Sequence, residues 1–341
     1  MRRLIAGVVS LSCVFLASAQ TAREWVSWEE GGGPIAREHA TVLVDAERDR
    51  AVFYAGSGYR PQMSPISDAW AVSLATGEWS ELAVEGDMPE GGGSKRLAPA
   101  AGGGFLLWGG YGGGFVVNNQ LVRARLTEGT VVFETVRQNN APPMRALHGF
   151  VYDGERDRYL MFGGVSSQAM YDDVWEMRLV DGVAEWRELE VERGPGERYG
   201  FAYAMDTAGD QLVVYSGAVP AQGLVCARDA WALDLTQDPP VWEKLTDEDA
   251  TPTGRRNPLW AFDPSSRRLI VTGGTADGRS AEEDLVALDL SGAGAEWEEL
   301  ETGEAEIRAS GMGFFDAKRG RAIFGMGNNA NGVCLDLYRV E

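Results

Sequence analysis

The sequence contains two histidines, His39 and His148, and this number limits the chemistry that the protein can perform. A Ser-His-Asp triad would have to use one of them, and the sequence has no G-x-S-x-G motif. We expect both histidines to be packed structural residues rather than bases or metal ligands. A calcium loop of the D-x-D-x-D-G type is also missing. The sequence therefore predicts no catalytic residue, no metal site and no cofactor.

Arginines form the most regular set of residues that could bind a ligand. Four of them lie 19 residues before the second residue of a glycine doublet: Arg37, Arg145, Arg198 and Arg255. Arg308 lies 18 residues before Met326, and Arg96 is the candidate for the same place in the remaining copy. A guanidinium group pairs well with carboxylate, phosphate or sulfate. This set is therefore a candidate anion site.

Three features that repeat in the same phase define the elements that position these arginines. Short apolar runs recur with spacings of 52 to 57 residues: 52–56, 106–110, 160–164, 213–217, 270–274 and 322–326. An aromatic ladder runs in the same phase: Trp25, Trp79, Phe133, Trp186, Trp242 and Trp297. An acid two residues before an aromatic or apolar residue forms the third ladder: Asp68, Asp173, Asp229, Asp284 and Asp336, with Gln120 as the degenerate copy. Together with a strand that follows the arginine, these three features predict four short strands in each repeat.

This period of about fifty residues, with a glycine doublet followed by spaced aromatics, resembles the kelch-repeat family. The resemblance covers residues 20–341 and is weakest in the second copy, where the first hairpin is shortened at 101–104. It implies an all-β fold, a six-bladed β-propeller with four antiparallel strands per blade around a channel. Trp25 is in the phase of a fourth strand, whereas the chain ends after the third-strand residue Tyr338. We therefore expect the N-terminal strand to close the last blade.

The resemblance also places the arginines, because the strand that they enter is the innermost one in kelch propellers. Up to six guanidinium groups would then surround one mouth of the channel. They would either pair with acids or carbonyls of the adjacent blade, which we favour, or bind an anionic ligand, as in kelch adaptors that bind acidic peptides. The loops after the glycine doublets vary most between copies and are candidates for recognition. Their aromatic residues Tyr59, Tyr111 and Tyr171 would suit a glycan or a peptide.

The first 19 residues have the pattern of a secretory signal peptide. Arg2 and Arg3 precede an apolar stretch, and Ala17–Ala19 provides small residues for cleavage. We therefore expect an exported protein, located in the periplasm, at the cell surface or outside the cell, with a single propeller domain at 20–341. Cys226 and Cys334 would remain after cleavage, and we do not expect them to pair because a whole repeat separates them.

The formal net charge of −20, from 51 acidic and 31 Lys and Arg residues, argues against nucleic acid and anionic lipid as partners. We expect no membrane insertion and a monomer. The sequence favours a non-catalytic binding module that recognises a protein or glycan ligand, including an anionic one. The alternative is an enzyme similar to the exported six-bladed sialic-acid mutarotases, which act on an anionic sugar. A third hypothesis is a structural subunit that docks through its acidic outer surface.

Overall fold

A computed structural model describes residues 26–27, 33–59, 63–89, 92–101, 103–112, 116–192, 194–300, 308–329, 332–333 and 337–340. The predicted signal peptide and Cys334 lie outside these residues. The described chain is built from β-strands, with short 3-10 turns at Ala46–Arg48 and Glu248–Ala250. No helix in the described part of the chain is long and apolar enough to span a membrane.

The strand bounds follow the sequence repeats. Up to residue 135 the strands are β1 (Val26–Ser27), β2 (Thr41–Asp45), β3 (Arg50–Tyr54), β4 (Ser57–Tyr59), β5 (Met63–Pro65), β6 (Ala69–Ser73), β7 (Trp79–Gly86), β8 (Arg96–Pro99), β9 (Phe105–Trp108), β10 (Leu121–Leu126) and β11 (Thr130–Thr135). From residue 137 to 246 they are β12 (Arg137–Asn139), β13 (Gly149–Asp153), β14 (Arg158–Phe162), β15 (Val174–Val180), β16 (Val183–Leu189), β17 (Ala202–Asp206), β18 (Gln211–Tyr215), β19 (Ala218–Val219), β20 (Val225–Cys226), β21 (Ala230–Asp234) and β22 (Val241–Thr246). The remaining strands are β23 (Leu259–Asp263), β24 (Arg268–Thr272), β25 (Leu285–Asp289), β26 (Glu296–Glu299), β27 (Met312–Asp316), β28 (Arg321–Gly325), β29 (Asn328–Asn329), β30 (Gly332–Val333) and β31 (Leu337–Val340).

Successive strands of each repeat pair antiparallel. Four-stranded sheets have the orders β17-β18-β21-β22, β23-β24-β25-β26 and β1-β31-β28-β27, and β13 to β16 form a similar sheet to which β12 adds a fifth strand. The first two repeats share an eight-stranded sheet, because β7 pairs in parallel with β11 between two antiparallel four-stranded units. Small hairpins β4-β5, β19-β20 and β29-β30 follow three of the glycine doublets.

The burial of the strands shows how the sheets pack. In β3, β14 and β28 every residue is buried, whereas β2, β17 and β27 alternate between buried and partly exposed residues. Strands buried on both faces require a neighbouring sheet on each side. The apolar clusters combine consecutive repeats, as when Trp108 packs with Phe150 and Trp186. The sheets therefore stack face to face.

The first and last repeats are also in contact. Val26 of β1 lies opposite Arg339 of β31, so the N-terminal strand completes the last sheet. Phe53 of β3 packs against Phe314 of β27 with their ring centroids 6.1 Å apart. The closure predicted from the phases of Trp25 and Tyr338 is confirmed by this strand pairing, although Trp25 itself lies outside the described residues.

Candidate functional site

Four of the predicted arginines are buried in ion pairs with an aspartate of their own repeat. Arg255 is typical: it donates to the two carboxylate oxygens of Asp284 at 2.5 and 2.7 Å, and also to the Gly273 carbonyl at 3.3 Å. The other three pairs are Arg37–Asp68, Arg145–Asp173 and Arg198–Asp229. These arginine side chains are 0–1% exposed. Each guanidinium group already holds a carboxylate, so its charge is compensated inside the repeat.

This geometry corrects the expectation that the arginines pair with acids of the adjacent repeat. The contact with the neighbouring repeat comes from their backbone instead. Gly164 donates its N–H to the Arg198 carbonyl at 2.8 Å, and Gly327 donates to the Arg37 carbonyl at the same distance. Equivalent bonds run from Gly110, Gly217 and Gly274 to Arg145, Arg255 and Arg308. The side chain therefore stabilises its own repeat, while the carbonyl joins it to the repeat before.

The second repeat departs from this pattern. Gly92 takes the place of the arginine, because its carbonyl accepts the N–H of Gly56 at 3.1 Å. Arg96 lies four residues further on, in β8. Its Nε donates to the His148 carbonyl at 3.0 Å, and its guanidinium lies 5.3 Å from the ring centroid of Trp260. Arg96 is therefore not a member of the arginine ring, by which we mean Arg37, Arg145, Arg198, Arg255 and Arg308. Burial lowers the pKa of Arg96. Arg308 is buried with the ring, and its ladder acid Asp336 lies outside the described residues.

The residue two positions after each ring arginine has a left-handed backbone. His39, Ser94, Leu147, Gly200, Asn257 and Ser310 have φ angles between 49° and 65°. Five of their N–H groups donate to the carbonyl of the preceding member at 2.7–3.0 Å: Ser94 to His39, Gly200 to Leu147, Asn257 to Gly200, Ser310 to Asn257, and His39 to Ser310. These bonds join the last repeat to the first and leave one gap, between Ser94 and Leu147. We call the six residues the annulus.

A depression of about 420 Å³ lies against this annulus. Its lining residues are Glu38, His39, Tyr111, Leu147, Val165, Tyr199, Arg256, Asn257, Ser310 and Asn328. They belong to three positions of the repeat. Glu38, Tyr199 and Arg256 directly follow a ring arginine; His39, Leu147, Asn257 and Ser310 are left-handed residues of the annulus; Tyr111, Val165 and Asn328 lie just after the apolar runs that end in the glycine doublets. These positions face each other across short backbone bridges, such as the bridge between Arg256 and Thr275. Equivalent positions of successive repeats therefore contribute different side chains to the depression.

Arg256 is the cation of the depression. It donates to the Tyr199 hydroxyl at 3.4 Å, its Nε is buried without a partner, and it forms no ion pair with a described carboxylate. Burial, together with the nearby charges of Arg96 and Arg256, lowers the pKa of His39 to about 4. His39 is therefore neutral at neutral pH. The guanidinium of Arg256 is the positive charge of the depression, in a protein of net charge −20.

Glu38 is the acid of the depression. Its side chain accepts a hydrogen bond from Nδ2 of Asn328, and burial raises its pKa. Glu38 is 9% exposed. A carboxyl group with a raised pKa that shares a depression with a cation and two tyrosines is suited to proton transfer as well as to hydrogen bonding.

The predicted tyrosines have different environments. Tyr111 lines the depression, and burial raises its pKa. Tyr171 covers Arg145, whose guanidinium lies 3.8 Å from the ring centroid. The side chain of Tyr59 lies outside the described residues. Sequence reasoning missed Glu38, Tyr199 and Arg256, and the signal that could have found them is their position directly after a ring arginine.

Both histidines are placed in packed surroundings. His148 is fully buried, stacks edge-on against Trp108 at 5.1 Å and has a lowered pKa because of its burial. His39 is hydrogen bonded through Nδ1 to the Ser94 hydroxyl at 3.0 Å. Cys226 is a free thiol whose Sγ lies 3.7 Å from the Thr275 carbonyl. In the described ranges no group of three His, Cys, Asp or Glu side chains is arranged to hold a metal ion.

Comparison with known proteins supports a kelch-type repeat protein. Putative adagio-like protein 2 of Oryza sativa is 28% identical over 295 residues, which cover 84% of this chain and 36% of that protein. Adagio-like protein 3 of the same organism and Adagio protein 3 of Arabidopsis thaliana are each 30% identical over 148 residues, or 43% of this chain. The chain spans about a fifth to a third of the length of these relatives. No family model matches it.

The solved structure of YjhT superimposes with a TM-score of 0.62 at 16% sequence identity. The match covers 79% of this chain and 85% of YjhT. At this identity the likeness shows the fold. Together the sequence and structure comparisons support kelch repeats and a β-propeller architecture. They do not bear on the predicted export of the chain, which stays a prediction.

Proposed function

We propose that the chain is a non-catalytic binding module that recognises an anionic group, a carboxylate on a glycan, in the depression at the channel mouth. The observation that carries this proposal is Arg256, a cation with a buried Nε and no carboxylate partner among the described residues. The Tyr199 hydroxyl and the side chain of Asn257 lie in the same depression and supply neutral hydrogen-bonding groups. A guanidinium group with such neighbours is a typical carboxylate site.

The proposal includes a ring of six blades. It is supported by six left-handed residues, one per repeat, of which five donate a backbone hydrogen bond to the preceding member, including His39 to Ser310 of the last repeat. Six sequence repeats around one annulus would place all six loops after the glycine doublets on the same face. Recognition of a protein or a larger glycan would use these loops together with the depression.

Isothermal titration calorimetry with N-acetylneuraminate tests the proposal. N-acetylmannosamine, which lacks the carboxylate, is the matched neutral sugar. We expect the acid to bind and Arg256→Gln to weaken it by about 10- to 100-fold, the value of a charge-assisted hydrogen bond. Arg137→Gln removes an exposed charge from the edge strand β12, away from the depression, and is the control. Equal binding of both sugars, or equal losses in both variants, would contradict the proposal.

A second candidate is a sialic-acid mutarotase-like enzyme. Glu38 favours it, because a carboxyl group whose pKa is raised by burial retains a proton nearer to neutral pH. Ring opening of a sugar needs a weak acid and base next to a cationic anchor. Exchange spectroscopy by NMR on the two anomers of N-acetylneuraminate separates the candidates. For the enzyme, Glu38→Gln would abolish exchange and retain binding, whereas the binding module shows no acceleration with either protein.

We also propose that the mature chain is exported and monomeric. Its support is the signal-peptide pattern of residues 1–19 and the high negative charge. Mass spectrometry of the intact protein recovered from a secreting host would give the mass without these residues. A full-length mass in the cytoplasmic fraction would contradict export.

A further inference from the structure

A larger concavity, of about 1420 Å³, lies between the third and fourth repeats, away from the channel-mouth depression. The end of β16, residues 190–192 with Gly194 and Gly196, and the start of β22 form its walls. Strand β22 is the last strand of its sheet in the part of the chain that the structure describes. We call this concavity the β22 groove.

Two equivalent sheet edges elsewhere are covered by a parallel strand from the repeat before. Residues 83–86, at the end of β7, pair in parallel with β11. Strand β12, which follows β11, pairs in parallel with β16. The segment after β16 occupies the corresponding place in the chain, yet its described residues, 190–192 and 194–196, form no strand with β22. The β22 groove lies next to this uncovered edge, which presents backbone N–H and carbonyl groups to a further strand.

The tryptophans of β16 and β22 also differ between the covered and the uncovered edge. Trp186 donates its indole N–H to Oε1 of Gln138, a residue of the covering strand β12, at 3.0 Å. Trp242 is 4% exposed, lines the groove and has no partner for its Nε1. Val191 stands five residues after Trp186, just as Gln138 stands five residues after Phe133, and an aliphatic side chain cannot accept a hydrogen bond. A buried donor is therefore left unpaired where the covering strand would supply an acceptor.

The lining of the groove is acidic around an apolar floor. Carboxylates come from Asp172, Glu188, Glu190, Glu192 and Glu243, and none of the described residues that line the groove is a Lys or Arg. None of these five carboxylates is in an ion pair with a described residue, whereas the neighbouring Asp173 holds Arg145. Val174, Leu189 and Val241 supply the apolar surface. This combination fits alternating cationic and aliphatic side chains.

We propose that the β22 groove binds an extended segment of a partner protein in which Lys or Arg alternates with aliphatic residues. The segment adds to β22 as a parallel strand, as β12 adds to β16. A backbone carbonyl of the segment takes the indole N–H of Trp242, the cationic side chains pair with the groove carboxylates, and the aliphatic ones pack on the floor. This site is separate from the anion site at Arg256.

A capped six-residue peptide of alternating lysine and valine is the probe, and the same peptide with glutamate for lysine is its control. Hydrogen exchange measured by mass spectrometry on the whole protein should show slower exchange in Val241–Thr246 when the lysine peptide is bound. The double variant Glu190→Gln/Glu243→Gln should weaken binding by about 2- to 30-fold, the range for two partly exposed ion pairs.

The matched control is Glu81→Gln/Glu85→Gln. It removes two exposed carboxylates from β7, whose outer edge is already paired with β11. We expect this variant to bind the lysine peptide like the parent. Equal binding of both peptides, protection that avoids β22, an equal loss in the two double variants or no saturable binding would each overturn the proposal. Arg256→Gln should not change peptide binding, so the outcome is independent of the channel-mouth site.

Discussion

Removal of one carboxylate from the arginine ring should destabilise the whole protein. In Asp173→Asn, the guanidinium of Arg145 keeps its buried position and loses the only charged partner that the described residues give it. Arg145 is 0% exposed, and the ring of Tyr171 covers it at 3.8 Å. The same substitution disturbs the bond from the Trp175 indole to Asp173, which is 2.7 Å long.

The magnitude follows from burial. Breaking a buried ion pair by removing one partner costs about 3–5 kcal/mol, because the other charge stays buried and uncompensated. The side chain of Asp173 is 16% exposed, so water reaches it and reduces the expected cost to about 2–4 kcal/mol. With a urea m-value of about 3 kcal/mol/M, the unfolding midpoint should fall by roughly 0.7–1.3 M.

Urea unfolding followed by tryptophan fluorescence measures this shift. The control is Asp172→Asn, one residue earlier, where the carboxylate is exposed and holds no described arginine. Its midpoint should stay within about 0.2 M of the parent, since surface substitutions usually change stability by less than 0.5 kcal/mol. If the two variants unfold at the same urea concentration, the arginine ring does not stabilise the fold, and its pairing with aspartate has another role.

Three further outcomes follow from the same geometry. Gly164→Ala should destabilise the protein by more than about 2 kcal/mol in urea unfolding, because the φ of Gly164 is +101° and a new Cβ would lie 2.8 Å from the Cβ of His148. The control Gly182→Ala, with φ +78° and open space around it, should cost only about 1 kcal/mol, and equal losses would show that the crowding at Gly164 is relieved. The pKa of His39 is lowered to about 4 and that of an unfolded histidine is about 6.5, so the unfolded chain takes up the proton first, and stability should fall as the pH falls from about 6.5 to 4. Unfolding curves at several pH values should show a smaller pH dependence in His39→Asn than in the parent, with the remainder coming from His148, whose pKa burial also lowers; an unchanged dependence would exclude a contribution of His39. Deletion of residues 20–30 removes β1 from the edge of β31 and should lower the melting temperature sharply, whereas an unchanged melting curve would contradict closure by this strand.

The repeating features could be predicted from the sequence because repetition multiplies a weak signal. The glycine doublets and the aromatic ladder placed the strands, and the phases of Trp25 and Tyr338 predicted the pairing of β1 with β31. The recurring arginines and ladder acids were both visible. Their pairing within one repeat could not be predicted. The spacing of an arginine and an aspartate in the sequence does not show whether the arginine reaches the aspartate of its own sheet or that of the neighbouring sheet.

The candidate site could not be predicted in the same way, because it consists of residues that differ between repeats. Glu38, Tyr199 and Arg256 share a position but no residue type, so no ladder contains them. In the second repeat the shortened hairpin obscured the alignment, and Arg96 was assigned to a place that Gly92 holds. The depression can be recognised only in the structure, where these positions from different repeats lie next to one another.

The most direct test of the proposed anion site is a crystal structure of the protein with N-acetylneuraminate. We expect the sugar in the depression, with its carboxylate within hydrogen-bonding distance of Arg256 and with Arg255 still paired to Asp284. A carboxylate that points into solvent, or a sugar bound elsewhere with the depression empty, would contradict it.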